Sequence, residues 1–188
     1  MRFTMRNYKS AVAALLFVTG FAAAPVFAQD EDAPSLLDRL AQAEDDTTAA
    51  RLERQVRREW SKSGSPTMDL LLKRGQDAME TGDTDAALQH LGALTDHAPD
   101  FAEGWHALAL AYYRVEMLGQ AADALERTLA LNPQHFGALR GLGAILEQVD
   151  KPELAYDAYS RVLTLRPHDS DVEDALERLE RRVTGTSL

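Results

Sequence analysis

The sequence predicts an all-α fold of stacked helical hairpins, and three observations carry that prediction. Pro99, Pro133 and Pro167 recur at an interval of 34 residues, twice over. Between them, apolar residues run at helical spacing in two stretches parted by a short turn. The clearest case is residues 102 to 135, with Trp105, Leu108, Ala109, Tyr112, Ala121 and Leu125. No stretch shows the apolar-polar alternation of a strand. An elongated stack of helices therefore fits this chain better than a globule.

The chain opens on MRFTMRNYK, which is basic and free of acids, and continues into the apolar run AVAALLFVTGFAAA. Pro25 then breaks any helix, and Val26-Phe27-Ala28 sets compact residues where a signal peptidase inspects the chain. Residues 1–28 are expected to be a cleaved export signal, cut after Ala28, leaving a periplasmic or secreted protein. The competing reading is a retained anchor, because residues 11 to 28 are uncharged and just long enough to span a bilayer.

Loss of residues 1–28 removes Arg2, Arg6 and Lys9 and no acid, so the formal charge falls from −10 to −13. Phosphate binding depends on lysine and arginine displacing counterions, so a surface this acidic repels nucleic acid and anionic headgroups. Neither nucleic acid nor, once the signal is cleaved, membrane is an expected partner. The chain has no cysteine, so neither a disulfide nor a lipid-modified cysteine is available. Stability must come from packing.

After the signal, residues 29–34 read as a flexible acidic tether. Residues 35–66 read as a helical hairpin, either a degenerate repeat or an N-terminal cap, with Ser35 capping its first helix. Leu52, Val56 and Trp60 form one apolar edge of its second helix. Three repeats follow at 68–101, 102–135 and 136–169. In each, the eighth position (Gly75, Ala109, Gly143) and the twentieth (Ala87, Ala121, Ala155) hold small residues where two helices must cross closely. Residues 170–183 form a last helix, with Val172, Ala175, Leu176 and Leu179 inward and charges outward. It is the polar cap that the end of a repeat stack requires.

This pattern resembles the tetratricopeptide repeat, a 34-residue helix-turn-helix unit. The second repeat carries the resemblance best, through Trp105, Leu108, Tyr112, Ala121 and Pro133; the first departs from it, with Arg74 where Leu is usual and Ala78 where Tyr is usual. The resemblance implies a right-handed α-solenoid whose first helices line a concave groove for a peptide or partner helix. Carried onto this chain, it places Leu72, Gln76, Met79, His106, Leu110, Tyr113, Arg114 and Arg140 along that groove. The carboxylate clamp known from some members of the family is absent, since its positions hold Leu72, Gln76, Ala107, Gly137 and Gly141.

Catalytic and metal readings find little support. His90, His97, His106, His135 and His168 form no pair four residues apart, and with no cysteine no metal-ligand spacing appears. Gly141-Leu142-Gly143 lacks a third glycine at the right distance, and Asp83-Thr84-Asp85 lacks the rest of a calcium loop. No cofactor is expected. The expected function is a non-enzymatic adaptor or scaffold that binds a protein or peptide in the groove. The alternative is a structural subunit of a cell-envelope assembly, docking through its convex or N-terminal surface. Trp105 occupies a core position of the repeat, so Trp105→Ala is expected to cost about 3 to 5 kcal/mol. Thermal melting checks this, and an unchanged midpoint would count against the phasing of the repeats.

Overall fold

The computed structural model describes residues 32–185, and these contain nine α-helices and no strand. They are α1 (Ala33–Ala41), α2 (Asp46–Trp60), α3 (Pro66–Thr81), α4 (Thr84–His97), α5 (Ala102–Arg114), α6 (Leu118–Leu131), α7 (Phe136–Gln148), α8 (Pro152–Leu165) and α9 (Ser170–Gly185). The expected export signal and the beginning of the tether lie outside the described residues. Among the described residues, no helix is long and apolar enough to cross a membrane.

The first helix begins earlier than the sequence suggests. Asp32 is its cap, accepting from the Ser35 backbone N–H at 3.1 Å, so Ala33 and Pro34 belong to α1 and not to a tether. Proline is tolerated there because the first helical N–H groups have no partner within the helix. Asp45 caps α2 through Thr48, and Asp83 caps α4 through Ala86.

The repeats are the pairs α3–α4, α5–α6 and α7–α8, and each is pinned by a close crossing. A Cβ on Gly75 would lie 2.4 Å from Leu91 Cδ2, and one on Gly143 would lie 2.7 Å from Tyr159 Cε1. Ala87, Ala121 and Ala155, across the crossing, are fully buried. The turn between the helices is also repeated. Gly82, Glu116 and Asp150, each at the fifteenth position, have φ of 80°, 59° and 58°. Only the first is the glycine that this left-handed conformation favours.

Successive repeats are tied through the proline that ends each one. Trp105 Nε1 donates to the Pro99 carbonyl at 2.9 Å, which gives this ring a polar anchor in addition to its place between two core clusters. The Pro133 carbonyl accepts from Arg161 Nη2 at 3.2 Å.

The two ends of the stack differ. At the C-terminal end, Val172, Ala175 and Leu179 of α9 are buried in one core with Ala155, Tyr159 and Val162 of α8. The equivalent face of α3 carries Leu70, 47 % exposed, with exposed Lys73, Arg74 and Asp77, and Lys73 pairs with Asp77 at 2.8 Å. Nothing apolar stacks on such a face. The N-terminal hairpin instead buries Leu36, Leu37, Leu40, Leu52 and Val56 in the core shared by α7, α8 and α9. Polar ties reinforce it: Arg166 Nε lies 2.8 Å from Glu53, and His168 Nε2 donates to the Ala43 carbonyl at 2.9 Å. The hairpin precedes the first repeat in sequence but packs on the last.

The crossings give a paired test. Alanine is better than glycine inside a helix by about 1 kcal/mol, whereas forcing a methyl into a filled core costs roughly 1 to 3 kcal/mol. Gly75→Ala and Gly143→Ala should therefore lower the melting temperature, because Leu91 and Tyr159 are buried and have nowhere to swing. Gly92→Ala, in α4 with open space around it, should raise it.

Candidate partner-binding groove

The first helices of the repeats wall an open cavity of about 790 Å³, lined among others by Gln76 and Met79 of α3 and by His106, Leu110, Tyr113 and Arg114 of α5. A smaller cavity of about 240 Å³ adjoins it, sharing His106, Leu110 and Tyr113. Gly137, Gly141 and Arg140 of α7 line the smaller cavity, and Arg57 reaches into it from α2. The absence of side chains at Gly137 and Gly141 keeps it open: a Cβ at Gly141 would lie 3.2 Å from Leu125.

Of the eight residues placed along the groove by the resemblance, seven line one cavity or the other. Leu110 and Tyr113 are 46 % and 44 % exposed, as expected of a contact surface. Arg114 has no ion-pair partner among the described residues, and Glu147, a neighbour it could have used, pairs with Arg178 at 3.4 Å. Arg140 stands 3.5 Å from the buried Asp169, which also holds Arg166. Leu72 does not reach the groove; it is 2 % exposed in the core under α3. His106 touches both cavities but is itself 5 % exposed.

Leu72 and His106 share a physical reason for their burial. Both stand at the fifth position of a repeat, and the last residue of the same repeat folds back beside that position. Phe101 packs against the core that holds Leu72. The rings of His106 and His135 lie 4.3 Å apart, and Arg140 meets Asp169. The pairing changes from apolar to aromatic to ionic along the stack.

The middle pair builds a buried polar cluster with Glu103 of α5. His135 caps α7: the backbone N–H of Ala138 donates to its Nδ1 at 3.0 Å. The hydrogen of the neutral ring is therefore on Nε2, which donates to Glu103 Oε2 at 3.0 Å. The other carboxylate oxygen lies 3.5 Å from His106 Nδ1. Burial alone would raise the Glu103 pKa, but the contacts with His106 and His135 outweigh it and hold the group at about 2. His135 shifts below the ordinary imidazole value of 6.5, first because it is buried and further because His106 and Arg57 are near; Glu103 opposes that shift.

Glu103, His106 and His135 bring ligand-type atoms within 4.8 Å of one another. They do not form a metal site as arranged. Ligation by His135 Nε2 would move its hydrogen to Nδ1, directly against the N–H of Ala138. Sequence reasoning missed this cluster because its members come from both ends of one repeat, 32 residues apart between Glu103 and His135. Setting each repeat's second, fifth and last positions side by side would have revealed it. Arg57 was missed for another reason, since it belongs to the hairpin and not to a repeat.

Stacked helical hairpins around an open groove define a helical-repeat interaction module. The profile of the Tetratricopeptide repeat family matches residues 72–115 and 106–170. A TPR repeat-containing protein of Rhizobium etli is 30% identical over 150 residues, covering 80% of this chain and 74% of the relative. The chain belongs to the tetratricopeptide-repeat family, whose repeats are in general protein-interaction modules. Among solved structures, the first TPR of Spaghetti, bound to the HSP90 peptide SRMEEVD, has a TM-score of 0.61 at 24% identity. That match covers 64% of this chain and 95% of that one. MamA has a TM-score of 0.59 at 22% identity, covering 81% of each chain. These two likenesses are likenesses of fold.

The Glu103 cluster makes stability depend on acid. A carboxyl held near 2 when folded, against 4.5 when free, contributes stability that is complete above 4.5 and is lost as the pH falls from there toward 2. Glu103→Gln should flatten the fall in denaturation midpoint over that window, measured by urea titration at successive pH values.

Proposed function

We propose that this protein is an exported, non-enzymatic adaptor that holds a peptide or protein partner in its concave groove, in the periplasm or outside the cell. One observation carries the reading: Leu110, Tyr113 and Arg114, which has no ion-pair partner among the described residues, stand exposed side by side on the wall of a cavity of about 790 Å³. An exposed aromatic beside an arginine is where binding energy concentrates at interfaces. The Spaghetti domain with its bound peptide supports the use of this fold for peptide capture. Recognition here must be built differently from a carboxylate clamp, because the clamp positions hold Leu72, Gln76, Ala107, Gly137 and Gly141. The non-enzymatic reading is supported by membership of a repeat family that is in general a protein-interaction module. Export is supported by the basic, then apolar, then small-residue pattern of residues 1–28.

The test is crosslinked capture from envelope fractions, comparing the protein with a Tyr113→Ala, Arg114→Glu double variant of matched melting temperature. Arg140 is left in place because its reversal would set a second carboxylate beside the buried Asp169. Groove recognition predicts at least tenfold weaker capture of the same partner. Equal capture by both would move the interface off the groove.

A further inference from the structure

We propose that the C-terminal turn of α2, from Arg57 to Trp60, is a strap across the groove wall that acid releases, with the neutral ring of His135 as its catch.

The ring of Trp60 stacks on His135 with centroids 4.4 Å apart and planes 22° from parallel, and it also meets Phe136 at 5.0 Å. One turn earlier, the Arg57 guanidinium lies 5.2 Å above the Phe136 ring and lines the smaller cavity. His135 is thus one support of the strap, beside the core against which Trp60 packs and the Glu53 carboxylate that holds Arg57, and the strap forms part of the groove wall. The rest of the hairpin is held independently, by the apolar core beneath α1 and by His168 on the Ala43 carbonyl, with Asp46 3.6 Å from its other nitrogen.

Both nitrogens of His135 are committed in the neutral form. Nε2–H donates to Glu103, and the lone pair on Nδ1 accepts from the Ala138 N–H. A second proton can enter only at Nδ1, where it faces that N–H across 3.0 Å. The cap of α7 is then lost, and the ring cannot keep the place against which Trp60 stacks. The charged groups around it divide. Arg57 from α2 and, when protonated, His106 from α5 repel a cationic ring, whereas Glu103 from α5 attracts it. A cationic ring would also be drawn to the face of Trp60, but only in an orientation that the Ala138 N–H forbids. Burial, 1 % exposed, adds to the penalty on the charged form.

The sign follows from linkage. Burial and the Arg57 charge, both relieved on release, hold the docked ring below the ordinary 6.5, so the released form binds the proton more readily and docking weakens as the pH falls below that value. One proton is taken up per release, so the opening constant rises by up to about tenfold for each pH unit in that window.

The experiment places Trp105→Phe in the whole protein, leaving Trp60 as the single tryptophan, and follows its emission and the proteolysis of residues 61–65 from pH 8 to pH 5. Expected is a reversible red shift of Trp60 with its midpoint below 6.5, matched by faster cleavage, while the repeats stay folded by far-ultraviolet circular dichroism. His135→Asn keeps an acceptor for the Ala138 N–H but cannot titrate, and it should abolish the transition. A Trp60 signal unchanged to pH 5, or an equal transition in the asparagine variant, overturns the proposal. Nitrogen-15 shifts of His135 in the unmodified protein give an independent check. A hydrogen on Nε2 at pH 8 with titration below 6.5 supports the catch, and a hydrogen on Nδ1 or titration at or above 6.5 overturns it.

Discussion

How closely the two helices of each repeat can approach decides the shape of the groove. Gly75 faces Leu91 and Gly143 faces Tyr159 with no room for a methyl between them, and one turn earlier the same opposite helices bury Ala87 and Ala155. A larger side chain at any of these places would part the hairpin, tilt the next repeat and open the wall that carries Leu110 and Tyr113. Large residues then fill the space beside each crossing at ordinary interior density.

Most of the core was legible because the repeat is local. A helix, a turn and a second helix fit inside 34 residues, so Trp105, Leu108, Ala121 and Leu125 announce their roles by spacing alone. The start of α1 was less legible, because Pro34 invites a boundary that the structure sets at Asp32. The place of the N-terminal hairpin was not legible. Its partners lie far along the chain: Val56 shares a core with Val172, and Ala43 bonds His168. The sequence did hold a hint in Lys73, Arg74 and Asp77, where the first repeat turns charge toward the side on which a preceding repeat would stack. Arg74 reads as a weak match to the repeat pattern; in the structure it marks an exposed end.

The groove was half legible. Leu110, Tyr113 and Arg114 are exposed where the resemblance placed them. Leu72 was misplaced by the same reasoning, and His106 lines both cavities while being buried, because that reasoning counted the helix face and overlooked the last residue of the repeat returning to cover the fifth. That return also explains why the second repeat holds a buried glutamate-histidine cluster and the first does not. Glu103, His106 and His135 supply three groups that satisfy one another, whereas the first repeat offers Leu72 and Phe101 at the same places and remains apolar.

The route of the N-terminal hairpin changes the physics of the whole stack. A linear repeat array is held by neighbours only, so its ends can fray one unit at a time. Here the segment before the first repeat is buried against the last. Melting of α7–α9 must expose the hairpin, and detachment of the hairpin uncovers the core of α7–α9. The hairpin and α7–α9 should therefore unfold together, with a folding rate set by the closure of a long chain segment and not by the assembly of a local pair.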